Sequence, residues 1–270
     1  MTDEEKPKKP MPDLKLKEGE TPQQRGSQKI MDVLTWLYRF GVSTADIINL
    51  VSGQLKPGFA KRLADKGLIV ATLTESGQPK YFYTLSQEGH DIAASYAPIP
   101  IRYRYFEPYK IKQSKFSHDF CAQRLSLEAS KRNGFEVHSQ AQIAVRHKAG
   151  AKIPDAVWVD KDKQRIAVEV EFTQKSKRDL DQTITAIIRS LEADEYSCYF
   201  YFVRADVIAT NYTRAMSPGA TIDHWEKNPR GAWTFFKENR EAVPASLIDR
   251  IFFMAADKPF EDPRPLGYGL

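Results

Sequence analysis

The chain has 270 residues, 41% of them hydrophobic and 28% charged, with a net charge of +5. That balance excludes a disordered or fibrous protein and fits a globular chain long enough for two domains. The longest apolar run, residues 196–203, is far too short to span a bilayer. The polar N-terminus lacks the apolar core of a secretory signal, and Cys121 and Cys198 lack metal-ligand spacing, so the expectation is a cytoplasmic protein with free thiols and no membrane insertion.

Residues 1–26 are rich in Pro, Lys and Glu without periodicity and are expected to form a disordered tail. From Ser27, apolar residues at Ile30, Val33, Leu34, Leu37 and Phe40 recur at helical spacing and stop at Gly41. Ser43-Thr44 offers a cap for a second helix over 45–51, and a third is expected over 57–66, closed by Gly67. Strands at 68–73 and 81–85 flank a turn containing Gly77 and Pro79, and Ser86 caps a fourth helix. Three helices and a hairpin over 27–97 predict a winged helix-turn-helix, with the third helix placed for a major groove. Lys56, Lys61, Arg62 and Lys66 lie on or beside that helix and Lys80 at the wing, so these are the candidate DNA contacts; the same module could instead serve protein contacts. His90 reads as a packing residue at a helix end.

The charge excess is local. Basic and acidic residues number six each in 1–26, thirteen each in 118–203 and nine each in 204–270, whereas residues 98–117 carry five basic against one acidic. This segment includes Arg102 and Arg104 and interleaves its cations with Tyr103, Tyr105, Phe106 and Tyr109. Cations alternating with rings can track a phosphate backbone and stack bases. The alternative is a linker whose tyrosines pack on both neighbouring domains.

Residues 118–270 are expected to form an α/β domain. A long amphipathic helix over 117–132 opens with His118-Asp119. Strands follow at 135–138, 153–159 and 165–172, then a helix at 179–192 and a strand at 196–203. The last is aromatic without alternation, as in a sheet covered on both faces. A helix around 205–216 and an apolar stretch at 248–254 complete the chain. Within this pattern, Ile153-Pro154-Asp155 ends one apolar run, and Glu169 and Glu171 project from one side of the next, because strand side chains alternate faces. Three convergent carboxylates, with Lys175 just beyond, form an oxygen-donor site for Mg2+ or Mn2+, able to activate water or steady the charge on a phosphate.

A Pro-Asp strand followed by a strand with spaced acidic residues resembles the PD-(D/E)xK nuclease motif, and the element order resembles a restriction-endonuclease-like domain. The pattern departs from the motif: with Glu169 as ligand, Glu171 stands at the lysine position. With Glu171 as ligand, Thr173 stands there and Lys175 is the substitute cation. The winged helix together with Glu169-Val-Glu-Phe-Thr-Gln-Lys-Ser-Lys-Arg178 and His118-Asp119 resembles the MobC family of plasmid relaxases and the wider replication-relaxation proteins. That resemblance, over residues 27–203, implies a metal-dependent DNA relaxase that nicks one strand at a plasmid transfer origin during conjugative mobilisation. Its implied partners are a coupling protein and an accessory mobilisation protein. Asp155, Glu169 and Glu171 are then metal ligands, Lys175 steadies the scissile phosphate, and His118 serves as a base or orients a ligand. The competing readings are a non-catalytic DNA-binding regulator or replication initiator with a decayed nuclease core, and a transposon or repair endonuclease.

Overall fold

The structure, a computed structural model, describes residues 19–54, 56–145, 152–235, 240–257 and 264–265. Most of the expected tail, residues 1–18, lies outside the described residues. The remainder corrects the expectation, because helix α1 (Pro22–Phe40) begins at Pro22 rather than Ser27. Thr21 and Gln24 form a capping box: the Thr21 hydroxyl accepts from the Gln24 amide at 3.2 Å, and Gln24 Oε1 accepts from the Thr21 amide at 2.8 Å. Pro22 at the first helical position has no amide hydrogen to leave unpaired. The first turn is polar and solvent-facing, so hydrophobic periodicity gives no sign of it.

Helix α2 (Ala45–Val51) starts where the Thr44 hydroxyl accepts from the Ile47 amide at 3.3 Å. Helix α3 (Phe59–Asp65) follows Gly58. Strands β1 (Ser43–Thr44), β2 (Ile69–Leu73) and β3 (Tyr81–Leu85) form an antiparallel sheet in the order β1-β3-β2. Ser86 caps α4 (Gln87–Tyr96), accepting from the Gly89 amide at 3.0 Å. Gly89 permits a close approach: a Cβ there would meet the Leu68 carbonyl oxygen at 2.0 Å. Leu34, Leu37, Ile48, Leu63, Leu68 and Leu85 fill the core between these elements. The His90 ring packs 5.0–5.5 Å from the rings of Tyr38, Tyr103 and Phe106, in accord with its expected packing role.

The basic segment after α4 divides its side chains. Tyr103 is buried in that first core, its hydroxyl accepting from the Leu85 amide at 2.7 Å and donating to the Gly41 carbonyl at 2.9 Å. Tyr109, Arg102 and Arg104 remain exposed.

The rest is a mixed α/β layer structure. It runs α5 (Phe116–Asn133), β4 (Glu136–Ser139), α6 (Gln140–Val145), β5 (Ala156–Val159), β6 (Arg165–Glu171), α7 (Lys177–Glu192), β7 (Cys198–Val203) and α8 (Asp206–Met216). Short strands β8 (Thr221–Ile222), β9 (Trp225–Lys227), β10 (Trp233–Phe235) and β11 (Glu241–Ala242) precede β12 (Ile251–Ala255) and β13 (Arg264–Pro265). The main sheet has the order β13-β12-β7-β6-β5-β4, with β6, β7 and β12 parallel and the flanking pairs antiparallel. Strand alternation sorts its faces. Ile166, Val168, Val170 and Phe202 pack beneath α5 with Trp158, while Ala167, Tyr199, Tyr201 and Val203 pack beneath α7 and α8. Burial on both faces explains the unbroken aromatic run of β7. Sequence patterning passed over α6 and β8–β11, whose segments are too short to carry a period.

The N-terminal elements and α5 share a core of Trp36, Val42, Ile47, Phe82, Phe116, Phe120 and Leu127. Buried Gln123 of α5 sits within this interface. Its Oε1 accepts from Trp36 Nε1 and Ser43 Oγ, each at 2.9 Å, and its Nε2 donates to the Val42 carbonyl at 2.8 Å. A buried amide bonded through both its oxygen and its nitrogen fixes orientation as well as adding stability, since any misdocking would orphan those groups. Among the described residues no helix is long and apolar enough to cross a membrane.

Candidate active site

Strands β5 and β6 pair antiparallel, with Ala156 opposite Val168. Beyond that pair the regular ladder ends: the Asp155 amide donates at 3.0 Å to the carbonyl of Val168, the residue already opposite Ala156, so the chain is bulged there and Asp155 abuts the end of the β5–β6 pair. The Asp155 charge acts on the Glu169 carboxyl, which places the two groups near one another. Glu171 lies two residues beyond Glu169 on the same face of β6, roughly 6.6 Å along the strand.

Each carboxylate has its own surroundings. Asp155 Oδ2 accepts from the Val170 amide at 2.8 Å and lies 3.2 Å from His118 Nε2. Burial alone would raise the Asp155 carboxyl. The hydrogen bond and charge of His118, the Val170 amide and the Lys152 ammonium outweigh it and hold the group below the ordinary aspartate value. His118 Nδ1 lies 3.1 Å from Asp119 Oδ1. Burial would lower the imidazole, but carboxylates on both ring nitrogens push it up to about 10. The ring bridges the two carboxylates, Nε2 toward Asp155 and Nδ1 toward Asp119.

Glu169 is buried, with 5% of its surface exposed, and burial pushes its carboxyl up to about 7 against the attraction of Lys152. Lys152 Nζ lies 2.5 Å from Glu169 Oε2, while Glu169 Oε1 has no hydrogen-bond partner among the described residues. The Tyr201 hydroxyl, opposite Glu169 in the β6–β7 register and likewise buried, is also without a partner there. Two buried polar atoms on paired positions thus retain hydrogen-bonding capacity, and unsatisfied interior polar groups are costly. Glu171 is held differently: Lys175 forms an ion pair with its Oε2, and the Tyr212 hydroxyl donates to the same oxygen at 2.9 Å. Burial and then the neighbouring Lys152 charge lower the Lys175 ammonium.

Asp155, Glu169, Glu171, Lys175 and His118 thus lie near one end of the β5–β6 ladder, although among the described residues no three His, Cys, Asp or Glu side chains converge closely enough to hold a metal ion. Lys152, Tyr201 and Tyr212 belong to the same cluster and escaped sequence reading. Lys152 had one available signal, its place three residues before Asp155. Tyr212 had none beyond an amphipathic helix. Lys56, Lys61, Arg62, Lys66 and Lys80 are all exposed, and α3 turns Phe59, Ala60 and Leu63 inward, leaving its basic side chains outward. Arg102 and Arg104 line the cleft that contains Asp155 and His118. Compared with protein-family models, with curated proteins and with solved structures, the chain matches none of them.

Proposed function

We propose that this chain is a divalent-metal-dependent DNA endonuclease of the relaxase type, nicking one strand at a plasmid transfer origin in conjugative mobilisation. The observation that carries the reading is the buried carboxyl of Glu169, close enough to Asp155 to feel its charge, with Oε1 unpartnered among the described residues, Lys152 on its Oε2 and Lys175 on the neighbouring Glu171. The donor set is all oxygen and suits Mg2+ or Mn2+. Asp155 and Glu169 would hold the cation; Glu171, engaged by Lys175 and Tyr212, is the reserve ligand. When bound, the cation activates water and steadies charge on the phosphate. The protein's own groups do the rest. His118 locks the Asp155 carboxylate, and Lys152 and Lys175 bring positive charge to the position where a pentavalent phosphate would form. Lys152 occupies the functional place of the missing motif lysine.

The α1–α4 and β1–β3 unit is read as a winged helix, with α3 entering a major groove and Lys61, Arg62 and Lys66 on phosphates. The sheet order supports a restriction-endonuclease-like core. A coupling protein and an accessory mobilisation protein are the implied protein partners. The competing reading, a DNA-binding regulator or replication initiator with a decayed core, draws on the two Lys–Glu ion pairs, which neutralise the acidic cluster without a metal.

Relaxation of a supercoiled plasmid carrying the adjacent noncoding DNA, with and without Mg2+, separates the two. Asp155→Ala is expected to abolish relaxation and leave duplex binding intact, because binding comes from basic residues elsewhere. Lys175→Ala should slow the reaction less. Relaxation by Asp155→Ala at the wild-type rate would transfer the reading to the regulator.

A further inference from the structure

A second feature opens onto the same carboxylates. A cleft of about 570 Å3 runs between the end of α1, the segment carrying residues 101–105, the start of α5 and helix α6, with His118 and Asp155 in its lining. Its volume lies within the range of about 300–1,000 Å3 typical of small-molecule sites. Arg102 and Arg104 line it, are exposed and make no ion pair with any described carboxylate. The third arginine of the cleft, Arg39, is already committed, donating to Gln142 Oε1 at 2.8 Å and to the Val137 carbonyl. Tyr105 lies so close over Gly41 that a Cβ on that residue would meet the ring at 2.1 Å. Gly41 has φ of 82°, a conformation open to glycine, so the ring is seated on bare backbone. Exposed Ala144 and Val145 of α6 contribute an apolar wall.

Two unpaired guanidiniums, a seated aromatic ring and an apolar wall are the parts that bind one nucleotide of a single strand: charge for phosphate, a π-face for the base. We infer that this cleft takes a nucleotide of single-stranded DNA adjoining the scissile phosphate, its phosphates on Arg102 and Arg104 and its base against Tyr105. Because Asp155 shares the cleft, a strand held there leads to the carboxylate cluster. Duplex DNA bound through α3 would then have to open before its strand is cut. The inference rests on the nuclease reading for its substrate, but the cleft binds without catalysis.

The test uses the full chain in EDTA, with a fluorescein-labelled oligothymidylate octamer and a separate duplex oligonucleotide, read by fluorescence anisotropy. Arg102→Ala/Arg104→Ala removes the charges, and Ala144→Trp fills the cleft from an exposed position; unchanged thermal unfolding certifies both folds. Octamer binding should weaken about ten-fold or more in each variant. In the double variant the slope of log K against log salt should also fall by about 1.4, the value for two single-strand phosphate contacts. Duplex binding should change little. Failure of the octamer to bind the wild type, or equal octamer binding by all three proteins, overturns the inference. The nuclease reading fails separately, through an Asp155→Ala protein that still relaxes plasmid, and that result leaves the octamer titration standing.

Discussion

Replacing Glu169 by Gln tests the physical core of the site without needing its substrate. Glu169 is buried, and its carboxyl moves from 4.5, the ordinary value, up to about 7 because burial outweighs the pull of Lys152. The sign follows from linkage. A carboxyl raised in the fold favours the protonated folded state, so its contribution is most favourable below the unfolded value. It declines as pH climbs from there to about 7 and is flat above. Between pH 5 and pH 8 the loss amounts to about 2–3 kcal/mol. Gln keeps the shape of the protonated acid and cannot ionise. At about 2–4 °C per kcal/mol for a chain of this size, the Tm of Glu169→Gln minus that of wild type should grow by roughly 5–10 °C from pH 5 to pH 8. The assay is thermal unfolding by circular dichroism in EDTA. Contributions from groups that do not feel the Glu169 charge are the same in both proteins and cancel in the difference. Parallel Tm profiles for the two proteins across this range would refute the account, since they would mean that the Glu169 charge is already solvated. Adding Mg2+ at pH 8 should stabilise wild type and do much less for Glu169→Gln, because only the carboxylate can serve as ligand.

Three further outcomes follow from other parts of the fold. Lys61→Ala/Arg62→Ala should lower the slope of log K against log salt for duplex binding by about 1.8, two phosphate contacts' worth; an unchanged slope in a salt titration would mean that α3 does not touch DNA. Gln123→Leu leaves Trp36 Nε1 and the Val42 carbonyl buried without partners and should cost about 2–4 kcal/mol in denaturant unfolding. Gly89→Ala drives a methyl into the Leu68 carbonyl, with an expected loss of about 1–3 kcal/mol in the same assay, whereas Gly53→Ala, with open space around it, gains no such clash and carries only the cost of its positive φ.

Local chemistry made much of this chain legible in advance. Apolar spacing and the caps at Thr44 and Ser86 mark α2 and α4 at their true starts, because a cap is a bond between residues three apart. Alternation likewise places Glu169 and Glu171 on one face of β6, a consequence of backbone geometry within a single strand. Tertiary structure alone decided the rest. Where Asp155 sits relative to the glutamates depends on how β5 ends against β6, where its amide turns to the Val168 carbonyl. Lys152 and Tyr212 reach the carboxylates from a loop and a helix whose own patterns say nothing of that destination. Within the basic segment, burial took Tyr103 into the first core and left Arg102 and Arg104 lining the cleft that also holds Asp155. Periodicity records which face of an element is apolar; what that face meets depends on contacts between residues far apart in the chain, and no local pattern contains them.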